Sequence, residues 1–239
     1  MIELRNVSKN FGTFTAVDDL SLTIPGGELF GFLGPNGAGK TTTIKMIAGL
    51  FAPTKGHVLV NGHDIVVNPL EAKSTIAYIP DQPFLYDKLT GREFLYFVGG
   101  LYSLPKEHLH RRVGEVIEHF EIGQWVDKKA EDYSQGMRQR ISIAAGLIHE
   151  PRTLIIDEPM IGLDPRSAKI VRETLRQQAD KGVSILMSTH SLPTAEELCD
   201  RIGIIHRGKM VYCDTRDGVR AFEASLDGKL ESVFLELTR

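Results

Sequence analysis

Residues 34–41 read GPNGAGKT, and no other stretch limits so strongly what this chain can become. The run satisfies G-x-x-x-x-G-K-[ST] at every fixed position. It lies between a short apolar segment, residues 30–33 (FGFL), and residues 40–50, whose apolar positions recur at helical spacing. A strand that turns through glycines straight into a helix suits a ligand that needs several backbone N–H donors aimed at one point. Gly34, Gly37 and Gly39 permit the backbone angles and the close approach this requires. The helix start adds unsatisfied amides and the positive end of its dipole. Lys40 brings a cation to the β- and γ-phosphates of a nucleotide, and the Thr41 hydroxyl can ligate Mg²⁺. Pro35, Asn36, Ala38 and Thr42 complete the expected phosphate cradle. A plain strand–turn–helix corner would account for the glycines, but not for a lysine and a helix in register with them.

Composition narrows the rest. The chain has 239 residues, enough for a large α/β core and a small second lobe but too few for two nucleotide domains. A net charge of −3 gives no whole-chain case for nucleic acid as a partner. Two cysteines, Cys199 and Cys213, are too few for a disulfide scaffold and fit a reducing compartment. The start, MIELRNVSKNFG, carries no apolar signal core, and no apolar run reaches the ~18 residues that span a bilayer. A membrane link is therefore expected through another chain.

Residues 2–7 and 16–24 alternate like half-exposed strands around a loop, Lys9-Asn10-Phe11-Gly12, with an aromatic at its tip. Asn61-Gly62 marks a two-residue hairpin turn, and residues 75–79 (TIAYI) form a buried strand ending at Pro80-Asp81-Gln82. From 83 to 133 the pattern becomes helical, at 90–102 and 106–120, and predicts an inserted lobe. Ser134 then opens another helix, a strand at 154–157 follows, and Asp164-Pro165 form the N-cap and first turn of a helix over 166–180. After a strand at 183–188 and a short helix near 192–199, residues 201–206 and 209–213 pair across Arg207-Gly208, and an amphipathic tail closes the chain.

Several apolar strands end in a polar group: FGFLG before Lys40, IAYIP before Gln82, TLIID with Glu158, and SILMS before His190. Strands separated by helices form a mostly parallel sheet, and such sheets bind ligands beyond their carboxyl ends. Singly, a histidine after a strand or a glutamine in a proline-rich turn is ordinary; together, around a phosphate loop, they form a candidate site. Asp157 and Glu158 cannot share one task, because neighbours on a strand point to opposite sides. The first can hold Mg²⁺, and the second can reach a water attacking the γ-phosphate. Ser134 is explained as an N-cap, but Arg138 and Arg140 near that helix start oppose the dipole. A bound anion would offset this, and it could belong to another subunit.

These motifs, in this order, resemble the ATP-binding subunit of ABC transporters over nearly the whole chain. GPNGAGKT is similar to Walker A, TLIIDE to Walker B, Gln82 to the Q-loop glutamine, LDP at 163–165 to the D-loop and His190 to the switch histidine. YSQGMRQR at 133–140 resembles the family's LSGGQ signature, with Tyr133, Gln135 and Met137 departing from it and Ser134 and Gly136 retained. That variant, and the closing SVFLELTR, are similar to subunits serving small dimeric exporters. Phe11 stands where the family often stacks a tyrosine on adenine.

The resemblance implies a P-loop NTPase α/β fold: a mostly parallel central sheet, an antiparallel β subdomain and a helical signature subdomain. The expected divisions are a core of 1–82 and 151–214, a helical subdomain of 83–150 and a tail of 215–239. It implies ATP and Mg²⁺ as cofactors, the metal held by Thr41, Gln82 and Asp157. Glu158 is expected as general base, with His190 and Gln82 assisting. Ser134, Gln135 and Gly136 are expected to bind ATP held by a second, identical or different subunit. Separate membrane permease subunits are the expected partners, at the cytoplasmic face of the membrane. A soluble ABC ATPase of translation or DNA repair is the alternative; such proteins usually pair two domains in one chain or insert long coiled coils.

Overall fold

The computed structural model describes residues 1–225; the remainder of the tail, with SVFLELTR, lies outside the described residues. The N-terminal part comprises β1 (Ile2–Phe11), β2 (Phe14–Ile24), β3 (Leu29–Leu33), α1 (Lys40–Ile47), β4 (Lys55–Val60), β5 (His63–Asp64), α2 (Pro69–Lys73) and β6 (Ile76–Ile79). Three longer helices follow, α3 (Gly91–Leu101), α4 (Lys106–His119) and α5 (Gln135–Gly146). The chain then returns through β7 (Thr153–Asp157), α6 (Pro165–Asp180), β8 (Ser184–Ser188), α7 (Leu192–Leu198), β9 (Arg201–His206), β10 (Lys209–Thr215) and α8 (Arg216–Ser225).

The strands form two sheets. One is antiparallel, in the order β2-β1-β4-β5; the other runs β10-β9-β3-β8-β7-β6 and is parallel except at β10. The predicted class, a mostly parallel sheet with a separate antiparallel sheet and a run of helices, is the observed one. Strand sequences explain the layering. In β3, β7 and β8 every residue is buried, as expected of a sheet covered on both faces. Their side chains alternate between two apolar clusters. Leu29, Leu33, Leu154, Ile156, Ile185 and Met187 face the cluster shared with α3, α4 and α5. Phe30, Phe32, Ile155 and Leu186 face the cluster shared with α1 and the antiparallel sheet. The helices at 91–146 are thus cored together with the sheet. Gly31, midway along β3, leaves room for Cys199, whose Sγ would lie 2.8 Å from a Cβ placed there.

Local signals mark several element ends. Asn61 and Gly62 have φ of 51° and 85° in the β4–β5 turn, and Arg207 and Gly208 have 47° and 80° in the β9–β10 turn, as two-residue hairpins require. Asp164 caps α6 by accepting from the Ser167 amide at 3.0 Å, and Thr90 and Glu93 form a capping box on α3. Two elements differ from expectation. The loop expected at Lys9–Gly12 is instead strand up to Phe11, because β1 pairs with β2 as far as Phe11↔Phe14. The helix α2 was not predicted; at five residues it is too short for a periodic signal.

Candidate functional site

The carboxyl ends of β3, β7 and β8 lie side by side, and several of the groups expected to act there line one cleft of about 300 Å³. Its lining includes Pro35, Asn36, Gly37, Gly39, Lys40, Thr41 and Thr42 from the loop, Asp157 and Glu158 from the end of β7, Asp81 beyond β6, and Phe14 and Ala16 from β2. The glycines serve distinct ends. Gly37, at φ 79°, has nothing within 4 Å of a notional Cβ, so its backbone stays open to the cleft. Gly39, at φ 112°, is packed so closely that a Cβ would stand 2.6 Å from the Ala16 carbonyl oxygen.

Lys40 curls back over the loop. Its Nζ donates to the Gly34 carbonyl at 2.5 Å and to the Pro35 carbonyl at 3.1 Å. Burial lowers the amine's pKa, while Glu158 and Asp157 pull it upward. A partly desolvated cation lining the cleft is suited to anionic oxygens.

Asp157 is buried, and its carboxylate accepts a short hydrogen bond from the Ser188 hydroxyl. Burial raises its pKa above the ordinary value; the Ser188 bond and Lys40 oppose the shift, and nearby Asp81 and Glu158 add to it. Glu158 has left the strand, with φ of 49°, a conformation costly for a non-glycine residue. Its amide still donates to the Ser188 carbonyl at 3.1 Å. Its side chain is gripped from the end of β8: Oε1 accepts from the His190 amide at 2.9 Å and lies 2.7 Å from His190 Nδ1, and Oε2 accepts from Thr189 Oγ1 at 3.3 Å. The second carboxylate is thus held against His190 and Thr189, just past the left-handed turn.

The donor set suits a hard divalent cation. The Thr41 hydroxyl, a buried carboxylate on Asp157 and a further one on Asp81 share the cleft. Among the described residues no three His, Cys, Asp or Glu side chains are grouped as metal ligands. Mg²⁺ needs no such group: it binds through one or two carboxylates and otherwise takes water and phosphate oxygens.

Of the expected residues, Gly34, Ala38, His190, Gln82 and Phe11 are not part of the lining; His190 meets the cleft only through Glu158. Gln82 is exposed and is not part of the lining; its neighbour Asp81 is, and it holds the Gln82 amide through Oδ1 at 2.9 Å. Phe11 turns its ring edge to Phe51, at 5.6 Å between centroids, with Lys9 Nζ 5.2 Å above it, while Phe14 lines the cleft. Register carries the missing signal: Phe14 directly follows the tight turn after Phe11, and Asp81 directly follows the strand-ending Pro80.

The Ser134 helix start is not part of this cleft. Ser134 and Gln135 are exposed at the head of α5, and Ser134 Oγ accepts from the Met137 amide at 3.3 Å. Gln135 packs beside Gly162, where a Cβ would stand 2.8 Å from its amide carbon, and Gly136 faces the Gly162 carbonyl. Tyr133 anchors the start from behind: its hydroxyl accepts from the Gly91 amide at 2.9 Å and donates to the Val126 carbonyl at 3.2 Å. The arginines whose cost an anion would offset have neighbours within the chain. Arg138 pairs with Asp87 at 3.1 Å and donates to the Ala130 carbonyl at 2.8 Å. Arg140 lies over the Trp125 ring at 5.1 Å.

Comparison with known proteins matches these features to one group. A family model described as ABC transporter matches residues 17–161. The linearmycin resistance ATP-binding protein LnrL of Bacillus subtilis (strain 168) is 40% identical over 216 residues, which cover 90% of this chain and 70% of LnrL. The ABC transporter ATP-binding protein NatA of the same organism is 37% identical over 232 residues, covering 95% of this chain and 94% of NatA. A solved structure of an ATP-binding subunit of an ABC transporter superposes with a TM-score of 0.93 at 33% identity, covering 100% of both chains.

Proposed function

The chain belongs to the ATP-binding subunits of ABC transporters, which are ATPases, and from that premise we propose that it drives export through separate membrane permease subunits. ATP closes a dimer of such subunits, and hydrolysis reopens it. The observation that carries the reading is the division of groups between two places. One cleft holds the phosphate loop and both carboxylates, while the Ser134 start is exposed outside it. A site split in this way is completed by a second copy or a related chain, whose Ser134, Gln135 and Gly136 would meet the γ-phosphate.

In the proposed reaction, Lys40 and the backbone N–H groups of residues 36–41 hold the β- and γ-phosphates, and Phe14 lies against the base. Thr41, Asp157 and Asp81 would hold Mg²⁺, which, when bound, neutralises charge developing between the β- and γ-oxygens. Asp81 takes the part expected of Gln82 because it is the residue that faces the cleft. Glu158 accepts a proton from the attacking water as the water oxygen bonds to the γ-phosphorus. The bond from phosphorus to the bridging oxygen breaks, its electron pair stays on ADP, and phosphate leaves. His190 and Thr189 hold the Glu158 carboxylate at the required angle.

Among the described residues no helix is long and apolar enough to cross a membrane, so the permease is assigned to other chains. Phe84, Tyr86 and Phe97, all exposed, form an edge-to-face ladder with centroids 5.6 and 5.3 Å apart. It lies directly beyond Asp81 and supplies an apolar seat for a permease's cytoplasmic helix. The resistance named for LnrL supports outward rather than inward transport. Affinity isolation from native membranes tests the proposal. A multispanning membrane protein should co-purify, at the peripheral cytoplasmic face, and recovery only with ribosomes or DNA would sink the transport reading.

A further inference from the structure

The phosphate loop is held by a backbone bond from a distant turn, which is itself tied to β2. The Gly208 amide, in the β9–β10 turn, donates to the Ala38 carbonyl at 2.8 Å, and the Gly208 carbonyl accepts from the Asp18 amide at 2.9 Å. One residue thus joins the loop to β2, whose Phe14 and Ala16 line the cleft. Lys209 adds an ion pair to Asp18 at 3.1 Å. The junction has no spare room. At Gly208, with φ of 80°, a Cβ would stand 2.9 Å from the Ala16 carbonyl oxygen, the same atom that a Cβ on Gly39 would meet. Hairpin geometry accounts for a glycine at this turn. It does not require that both peptide groups of that glycine point into segments that form the cleft.

We propose that Gly208 is a positioning residue for the ATPase. By tying Ala38 to β2 it sets the spacing between the base side of the cleft and the phosphate-binding amides. The proposal rests on reading this cleft as the ATP site. A glycine-rich loop is expensive to order, so a clamp on its carbonyl side lowers the entropy lost when a nucleotide binds. The effect falls on nucleotide affinity, because Gly208 touches neither Glu158 nor His190.

The test pairs Gly208→Ala with Gly182→Ala. Gly182 also has positive φ, 92°, but nothing lies within 4 Å of its notional Cβ, so alanine there imposes backbone strain without a contact. Titration with a fluorescent ATP analogue should give a dissociation constant raised about three- to tenfold in Gly208→Ala, the worth of one lost hydrogen bond. Its kcat at saturating ATP should stay within about twofold. Gly182→Ala should bind as wild type does even if its Tm falls. Unchanged affinity in Gly208→Ala, or an equal loss in both variants, would overturn the clamp. If Gly208→Ala does not fold, hydrogen exchange of the wild-type protein decides: the Asp18 and Gly208 amides should exchange more slowly once ATP is added, and unchanged rates would overturn the proposal. Wild-type protein that binds no ATP would instead remove the nucleotide reading on which the clamp depends.

Discussion

The phosphate cleft and the Ser134 helix start are both built from backbone amides at a helix terminus, yet they are finished differently. In the cleft the polar groups already answer one another: Lys40 meets its own loop, Asp157 meets Ser188 and Glu158 meets His190. Residues from four separate segments close around one volume. At the start of α5 the side chains that could touch a ligand, Ser134 and Gln135, are exposed, and Tyr133 and Arg138 anchor the start from behind. A region that binds by enclosure needs many contributors from its own chain. A region that binds by presentation needs only to be rigid, because the partner supplies the other wall.

The sharpest way to break this contrast is Glu158→Gln, which keeps the shape of the cleft and removes the base. Turnover should drop by roughly 10²–10⁴-fold, with ATP still bound. ATP should then hold the protein as a dimer in size-exclusion chromatography; a variant that binds ATP yet stays monomeric would detach the α5 start from the reaction. The next effect separates the two aromatics near the turn at Gly12. Phe14→Leu should weaken ATP binding by up to ~1–3 kcal/mol if the base stacks there, whereas Phe11→Leu should change it by less than about 0.5 kcal/mol. Calorimetric titration of both variants distinguishes them, and the reverse order would return the base to Phe11. The smallest effect concerns the presenting region. Tyr133→Phe leaves the buried Gly91 amide without its acceptor and should cost about 1–2 kcal/mol in denaturant unfolding. Its affinity for ATP should match wild type, since Tyr133 is not part of the cleft.

How much of this was legible beforehand follows from the range of each interaction. Caps and tight turns are local: Ser134, Asp164, Asn61-Gly62 and Arg207-Gly208 act within a few residues of themselves, and each stands where its chemistry pointed. Whether residue 81 or 82 lines the cleft is not local. It depends on how the chain leaves β6 beside β7, and a shift of one residue reverses the outcome. The same holds for Phe11 and Phe14, which straddle one tight turn. Arg138 opposes the dipole of α5, and the charge that compensates it, Asp87, lies 51 residues away in the chain, beyond the reach of local pattern.

By itself, then, the sequence determined the strand–loop–helix around Lys40, the order of the motifs and the two-faced burial of the parallel strands. These follow from periodicity, glycine placement and side-chain chemistry over short spans. Only the tertiary structure decided that Asp81 enters the cleft, that Phe14 rather than Phe11 lines it, that Glu158 is aimed by His190 and that Gly208 ties the loop to β2. Those outcomes depend on which backbones pass within a hydrogen bond's length of one another, and spacing along the chain does not set that distance.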